Sequence, residues 1–322
     1  MISEKVILGI DTSNYTTSVA IVDINGNIIA NLKRPLQVKA GERGLRQSDA
    51  LFLHNVNIPS LMAEAKEILN GIIPVAIGVS RRPRNVEGSY MPCFLAGVAA
   101  AESAAAVSGI PLFAFSHQCG HIMAAVHSSG RDDILNDEFA AFHISGGTTE
   151  LVKVKTVDSG FETQLFGGTA DVNAGQIIDR IGVLMGLRFP AGPHLEELAL
   201  ENTKKIPKRK ISGNGMKVNL SGLENMAEKL YRETNDKALV SAFVLDYIGR
   251  SIISMSEAYE ADFGETTFVY AGGVMCNSII RKMLSERFES LFAEPALSAD
   301  NAVGIAELAR RAFLKEGKNT WI

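Results

Sequence analysis

The same strand–turn–strand pattern occurs twice in this chain, and the repeat limits the folds that the chain can adopt. In the first copy, Val6–Asp11 is followed by a polar turn and by the run Thr17–Asp23. In the second copy, Phe139–Ile144 and Glu150–Lys155 flank the glycine-rich turn Ser145–Thr149. Apolar runs of this length, bounded by turn residues, predict antiparallel strands. The copies lie too far apart for a solenoid repeat, so they indicate a duplicated, two-lobed fold.

Helical patterns and a further strand follow each copy. The strands are Pro74–Val79 and Thr266–Ala271, and Thr203–Val218 is predicted to be an exposed loop. Helices are predicted at Phe94–Ser108, Asp171–Met185, Lys237–Phe263, Ser278–Phe292 and Asn301–Lys315. This mixture predicts an α/β fold with two layered lobes. We expect lobe I to comprise residues 1–115 and the C-terminal helix 301–322, and lobe II to comprise 116–300. A ligand would bind in the cleft between them.

Length and composition exclude several classes of protein. The chain has 322 residues, of which 46% are hydrophobic and 21% charged, which is typical of a globular protein of about two domains. Its net charge of −4 provides no general attraction to nucleic acid, so RNA would need a local basic run. Lys204–Lys210 and Arg81–Arg84 are such runs, although solvated loop charge is the simpler interpretation of both.

The same considerations bear on location. The residues Met1–Lys5 lead directly into a strand pattern with no signal peptide, and the apolar stretches look too short to span a membrane. Cys93, Cys119 and Cys276 share no metal-type spacing and favour a reducing compartment, so we expect a cytoplasmic protein.

Two histidines are spaced for metal binding. His117 and His121 lie four residues apart, which places them on one face of a helix, where both rings can reach one ion. The alternative is a pair of surface histidines, or one buried histidine bonded to the backbone, and the spacing leaves both interpretations open. No glutamate follows His117, so the zinc-protease motif His-Glu-x-x-His is absent.

Glycine-rich turns provide candidate phosphate sites. The turn Ser145–Thr149 and the shorter turn at Thr12 and Ser13 offer hydroxyls and approachable backbone amides, although either is also compatible with an ordinary hairpin. The pair Gly272 and Gly273 lies between a strand and a helix, where a nucleotide can approach the helix N-terminus; a tight connection is the alternative. Asp300 precedes the last helix, so its position alone favours an N-cap.

In their order along nearly the whole chain, these motifs resemble the tRNA threonylcarbamoyl transferase family. This family comprises bacterial TsaD and the catalytic subunit of the KEOPS complex, and was formerly called O-sialoglycoprotein endopeptidase or peptidase M22. The segments that resemble family motifs are Gly9–Ser13, His117–His121, Ser145–Thr149, Asp171–Arg180, Phe189–Pro193, Ser221–Leu223, Ala271–Val274 with Asn277, and Asp300–Asn301. The resemblance implies the fold of actin, sugar kinases and heat-shock ATPases, built from duplicated ribonuclease-H-like domains.

The resemblance also implies a set of site residues. His117, His121 and Asp300 would hold one divalent metal, iron or zinc. His143 lies where the archaeal branch has a metal-binding Tyr, and is a candidate fourth ligand. The residues implied to bind phosphate or nucleotide are Thr12, Ser13, Ser145, Gly146, Gly147, Thr148, Thr149, Asp179, Gly192, Glu196, Gly272, Gly273 and Asn277. The ligand would be an adenylated carbamoyl donor, or ATP or AMP.

The implied activity is metal-dependent transfer of a threonylcarbamoyl or related carbamoyl group to the adenosine beside the tRNA anticodon. Implied partners are tRNA and a related small subunit or a second copy of the chain, with no membrane. Three segments depart from the family: Gly41–Asp49 replaces a His-, Gly- and Pro-Glu-containing motif that ends in Ser-Arg-x-His, Arg82–Asn85 replaces Gly-Pro-Gly, and Glu224 replaces a lysine.

These departures, all on the acceptor side, leave two further hypotheses. The chain is a paralogue that binds adenine nucleotide and metal as a regulatory or partner subunit, or one that transfers the group to an acceptor other than tRNA. The older protease label lacks a catalytic motif here. No residue stands out as a general base.

Overall fold

The computed structural model describes residues 4–13, 15–38, 44–158 and 160–319. It contains two β-sheets, and the first sheet contains the first copy of the sequence repeat. The strands of this sheet are β1 Val6–Asp11, β2 Thr16–Asp23, β3 Ile28–Pro35, β4 Ala76–Arg82 and β5 Leu112–Ser116, in the order β3-β2-β1-β4-β5. The first three strands are antiparallel, whereas β4 pairs parallel with β1 and β5. Asn14, Gly41–Arg43, Ser159 and residues 320–322 lie outside the described residues.

The second sheet repeats this topology and extends it. Its strands are β6 Phe139–Ile144, β7 Thr149–Val157, β8 Gly160–Thr169, β9 Ser212–Asn214, β10 Lys217–Asn219, β11 Phe268–Ala271 and β12 Ser290–Phe292. The order is β12-β11-β6-β7-β8-β10-β9. Read in the opposite direction, β8-β7-β6-β11-β12 corresponds strand by strand to β3-β2-β1-β4-β5 of the first sheet. The expected duplicated α/β fold is therefore confirmed.

Helices cover the sheets and separate them. They are α1 Gln47–Leu69, α2 Phe94–Ser108, α3 His117–Ser129, α4 Ala174–Leu184, α5 Gly192–Leu200, α6 Ser221–Thr234, α7 Lys237–Phe263, α8 Ser278–Ser285, α9 Pro295–Ser298 and α10 Val303–Asn319. α1 and α2 pack on one face of the first sheet. α3 and α10 bury their apolar side chains between the two sheets, in one cluster with residues of β1, β6 and β7.

α3 and α10 touch through their backbones. A Cβ on Gly304 would lie 1.8 Å from the carbonyl oxygen of Gly120, so no other residue fits there without separating the helices. A Cβ on Gly9 of β1 would lie 2.5 Å from the oxygen of Ala302, just before α10. These contacts hold the start of α3, the end of β1 and the segment before α10 close together.

Two predicted elements differ in type from those observed. The predicted helix Ser278–Phe292 ends at Ser285, and its last residues form β12, because they pair parallel with β11 and the ring of Phe292 stacks on Tyr270 at 4.9 Å. The predicted loop Thr203–Val218 contains β9 and joins β10, since this hairpin extends the sheet beside β8.

α7 corrects an expectation about membranes. This helix is long and apolar enough to cross a bilayer, contrary to the prediction that every apolar stretch is too short. However, 78% of its most apolar stretch of 18 residues is buried inside the protein. It is the central helix of the largest hydrophobic cluster, where Phe243, Tyr247 and Ile252 are buried.

Candidate functional site

Three histidines converge between the two sheets. α3 begins at His117 because Ser116 caps it, its side chain accepting a hydrogen bond from the backbone N–H of Cys119. His121 lies one turn further on the same face, and His143 comes from β6. One ring nitrogen of each histidine lies within 4.8 Å of the others, and the rings of His121 and His143 are 4.9 Å apart. The structure thus adds His143 to the pair that the helix spacing indicated.

Asp300 completes this histidine cluster, which we define as His117, His121, His143 and Asp300. Its Oδ1 lies 3.5 Å from Nε2 of His117 and 3.3 Å from Nε2 of His121. The side chain of Asn301, rather than that of Asp300, accepts the hydrogen bond from the backbone N–H of Val303 at the start of α10. The N-cap interpretation of Asp300 is therefore wrong.

Asp11 supports the cluster from behind, and sequence reasoning missed its role. This carboxylate is fully buried at the end of β1, and its Oδ2 lies 2.8 Å from Nδ1 of His117. Burial alone would raise the pKa of Asp11, but the charge and hydrogen bond of His117, with further hydrogen bonds, lower it overall. The ionised carboxylate accepts a hydrogen bond from Nδ1–H of His117, so that Nε2 of this ring faces Asp300. The available signal was an acidic residue ending an otherwise apolar strand.

The protonation states differ across the cluster. Burial lowers the pKa of His117, but Asp11 and Asp300 outweigh it and raise the value to about 10. Burial, together with the charges of the other two histidines, lowers the pKa of His143 well below its ordinary value. Both ring nitrogens of His143 are buried without a hydrogen-bond partner among the described residues, whereas the buried Nε2 of His121 faces Oδ1 of Asp300 at 3.3 Å. Buried, neutral imidazoles with free nitrogens beside a carboxylate form a donor set that suits zinc or iron.

The turn between β6 and β7 lies at the beginning of α4. Thr149 accepts a hydrogen bond through Oγ1 from the N–H of Ala174, the first residue of that helix. The backbone N–H of Ser145 bonds to the oxygen of Thr148, closing the turn. A Cβ at Gly146 or Gly147 would meet nothing within 4 Å, so open space adjoins the turn, although the N–H of Gly147 donates to Oγ of Ser145 at 3.3 Å. The turn therefore leaves room for an anion beside a helix N-terminus.

The equivalent turn of the first sheet is used differently. The hydroxyl of Thr12 donates to the oxygen of Cys93 and accepts from the N–H of Gly97, so it anchors α2. It is therefore not free to bind phosphate, contrary to the expected role of its side chain. The N–H of Ser13 donates to Asp11 at 2.8 Å.

The residues expected to hold a nucleoside lie on or next to three neighbouring helices, α4, α5 and α8. Burial raises the pKa of Asp179 on α4 to about 6, although the N–H of Ala191 donates to it at 2.8 Å and lowers the value. Gly192 is the first residue of α5. On the same helix, Glu196 accepts a hydrogen bond from the backbone N–H of Ser278 at 2.7 Å. Asn277 caps α8 by accepting the N–H of Ile280.

Gly272 and Gly273 connect this region to the histidine cluster. Gly272 has a φ of 99°, and a Cβ there would lie 2.4 Å from the oxygen of Ile144 and 3.1 Å from the His143 ring. Gly273 adjoins open space. Gly272 is therefore required by the close approach of two strands, whereas Gly273 leaves room for a ligand.

A charged contact crosses between the sheets beside the cluster. Arg84, which follows β4, forms an ion pair with Glu150 of β7, and Gln118 of α3 donates to the other oxygen of Glu150 at 2.9 Å. We call these three residues the inter-sheet strap. Sequence reasoning treated Arg84 only as part of a basic run.

Comparison with known proteins agrees with this architecture. A family model described as tRNA N6-adenosine threonylcarbamoyltransferase matches residues 42–307. Proteins of that name are similar to the chain: one from Streptococcus suis is 28% identical over 100% of this chain and 96% of its own length. One from Lactobacillus johnsonii is 30% identical over 89% of this chain and 82% of its own length.

Solved structures share the fold at low sequence identity. HypF from T. kodakarensis superposes with a TM-score of 0.63 at 13% identity, covering 97% of this chain and 48% of HypF, so the chain spans about half of that protein. A ROK family glucokinase from Streptomyces griseus superposes with a TM-score of 0.50 at 14% identity, covering 95% of this chain and 99% of the kinase. The chain thus has the fold expected from the resemblance, that of actin and the sugar kinases. By its sequence over most of its length, the chain belongs to the tRNA N6-adenosine threonylcarbamoyltransferase family.

Proposed function

We propose that this protein transfers a threonylcarbamoyl group from an adenylated donor to an adenosine of tRNA, the one beside the anticodon. The observation that carries the proposal is the histidine cluster. Both ring nitrogens of His143 are buried without a hydrogen-bond partner in the described part of the chain, and the Ser145–Thr149 turn follows its strand directly. Membership of a family whose relatives are named for this reaction supports it.

His117, His121 and Asp300 would hold one divalent metal, iron or zinc, with His143 as a fourth ligand. When bound, the ion supplies Lewis acidity that polarises a carbonyl and stabilises developing negative charge. Asp11 fixes the orientation of His117, so that Nε2 is the nitrogen presented to the ion. His143 is uncharged at neutral pH and needs no proton release before it binds.

The donor would lie along the edge of the second sheet. The amides of Gly146 and Gly147 and the α4 N-terminus hold its phosphate, with Ser13 on the opposite side. Asp179 and Glu196 accept hydroxyl protons of the ribose, and Gly273 provides space beside Asn277 for the nucleoside. The acceptor amine then forms the new N–C bond as the C–O bond to the adenylate phosphate breaks, AMP leaves, and the proton lost by the amine passes to solvent.

The organisation of the molecule fits this arrangement. We propose that residues 1–115 with the C-terminal helix 301–322 form one lobe and residues 116–300 the other, with the donor between them. We further propose that the protein works in the cytoplasm together with tRNA and a small subunit or a second copy of the chain. Its net charge of −4 favours assistance from such a partner, or from the Lys204–Lys210 run, in binding RNA.

The double variant His117→Ala/His121→Ala tests the proposal. We expect it to lose bound metal, measured by elemental analysis, and to lose transfer to tRNA, measured with labelled threonine. His127→Ala is the matched control, since His127 lies on α3 but outside the cluster. Full activity in a metal-free double variant would contradict the metal-dependent mechanism.

A second function is a paralogous subunit that binds nucleotide and metal without modifying tRNA. The observation that favours it is the strap, because Arg84 lies in the segment Arg82–Asn85 that departs from the family's Gly-Pro-Gly. Calorimetry with AMP would detect binding under either function. A transfer assay on tRNA separates them, because only the first function gives modified tRNA.

A further inference from the structure

The inter-sheet strap places a guanidinium group beside the histidine cluster. Glu150 lies directly opposite His143 in the antiparallel pair of β7 and β6, so the two side chains project from the same face of the sheet. Gln118 follows His117 in α3. The strap therefore runs along the cluster, and the positive charge of Arg84 is among those that lower the pKa of His143, after burial and the other two histidines.

Within the inter-sheet strap, Glu150 holds Arg84 without using all of its hydrogen-bond donors. Glu150 is largely buried, with 13% of its side chain exposed, and each of its carboxylate oxygens has a partner, Arg84 or Gln118. The Arg84 side chain is 42% exposed and uses only one terminal nitrogen, Nη1, in this pair. Its Nε and its other terminal nitrogen have no hydrogen-bond partner in the part of the chain that the structure describes. A guanidinium held at one end, with free donors at the other, is suited to bind a second carboxylate.

We propose that Arg84 binds the carboxylate of the acyl group being transferred, and so selects a donor that carries an amino-acid carboxylate over a neutral carbamoyl donor. This inference rests on the function proposed above. The threonylcarbamoyl group carries the free carboxylate of threonine a few bonds from the carbonyl that reacts at the cluster. Arg84 is held beside the cluster by Glu150, the residue directly opposite His143.

Lys33 is a second cation that reaches this region from the first sheet. Nζ of Lys33 on β3 donates to the oxygen of Ala296 at 2.6 Å, and its charge interacts with Asp300. Lys33 approaches from the α9 side, whereas Arg84 approaches from the β7 side next to His143. The contributions of Lys33 and Arg84 to ligand binding can therefore be distinguished by substituting each residue alone.

Binding of non-hydrolysable donors tests the proposal. The probes are the sulfamate-linked threonylcarbamoyl adenylate, the same compound with the threonine carboxylate replaced by a carboxamide, and AMP. We expect the wild-type protein to bind the carboxylate compound about tenfold or more tightly than the carboxamide, as is typical of a charge-assisted hydrogen bond. Arg84→Ala should bind the two equally, Arg84→Lys should keep part of the preference, and the affinity for AMP should not change.

Arg81→Ala is the matched control, because Arg81 pairs with Glu102 on the exposed surface of the same strand end. It should keep the full preference, and thermal unfolding should show that all variants are folded. A preference that survives in Arg84→Ala but is lost in Lys33→Ala would overturn the assignment in favour of Lys33. A wild-type protein with no preference would overturn it outright. If the wild-type protein binds neither adenylate nor AMP, the proposed function itself fails, and the role of Arg84 with it.

Discussion

Asp11 and His117 lie 106 residues apart in the chain, yet Oδ2 of the first is 2.8 Å from Nδ1 of the second. The carboxylate is fully buried and ionised, and the imidazole bridges it to Asp300. One histidine ring thus joins the end of β1 to the segment before α10. Such a carboxylate–histidine contact orients the ring and increases its basicity as a metal ligand.

Asp11→Asn should weaken metal binding without removing any proposed ligand. Loss of the charge behind His117 is expected to lower the affinity for Zn²⁺ by about 10- to 100-fold. Competition with a chelating dye measures this effect. Asp23→Asn is the control, because Asp23 is also a buried carboxylate but lies at the opposite end of the β1–β2 pair. An equal loss of affinity in both variants would show that Asp11 acts only through the fold.

His143→Leu should have opposite effects on the metal-free and metal-bound protein. Without metal, the variant removes buried nitrogens that lack partners, so the free energy of unfolding should rise by about 1–3 kcal/mol. With Zn²⁺, it should gain less stability than the wild type because one ligand is missing. Urea unfolding with EDTA and with Zn²⁺ measures both. A loss of stability in EDTA would contradict the prediction.

Adenosine binding should strengthen as the pH rises through about 6. The folded pKa of Asp179 lies near 6, above the ordinary 3.8, because burial disfavours the charge. The folded protein therefore holds this proton more tightly than the unfolded chain, and its stability falls as the pH rises between these two values. The proposed contact of Asp179 with the ribose requires the ionised form, so affinity should fall by up to about tenfold per pH unit below the pKa.

Adenosine is the appropriate probe because it has no phosphate that titrates near pH 6. Asp179→Asn should bind adenosine more weakly at pH 7.5 and lose this dependence between pH 5 and 7.5. A pH profile that is the same in the variant and the wild type would assign the titration to another group.

Gly272→Ala and Gly273→Ala should separate folding from ligand binding. Gly272 has a φ of 99° and no space for a Cβ, so its alanine variant should be destabilised by about 1–3 kcal/mol. Gly273 adjoins open space, so its variant should unfold like the wild type but bind AMP less tightly, since the methyl group enters the proposed nucleotide site. Thermal unfolding and calorimetry test the pair, and unchanged AMP affinity in Gly273→Ala would move the ligand away from this turn.

Local patterns predicted much of the fold. The strand Phe139–Ile144 and the helices Phe94–Ser108 and Lys237–Phe263 have the predicted bounds, because their signals are strong and local. β12 was missed because a three-residue strand has almost no local signal and is stabilised by its pairing with β11. The same limit applies to α7, whose apolar length alone does not separate a core helix from a membrane helix.

The site shows the same division between local and long-range information. The spacing of His117 and His121 marked one face of α3, and family resemblance added Asp300 and His143. Nothing local connects Asp11 to His117, or Arg84 to Glu150, because each pair meets only after the two sheets pack against α3. The hydrogen bonds that occupy the hydroxyl of Thr12 likewise depend on tertiary structure, because they form only when β1 packs against the start of α2.

The backbone contact of α3 with α10 has a consequence for how the protein is made. Asp300 reaches the histidines only when α10 has docked between the sheets, against Gly120. A ribosome releases the N-terminal strands first, and domains fold as they emerge. Because α10 belongs to the buried core between the sheets, this core also stays incomplete until α10 is available. Completion of the cluster must follow release of the last helix, so a nascent chain stalled before residue 300 would hold three histidines but not the finished site.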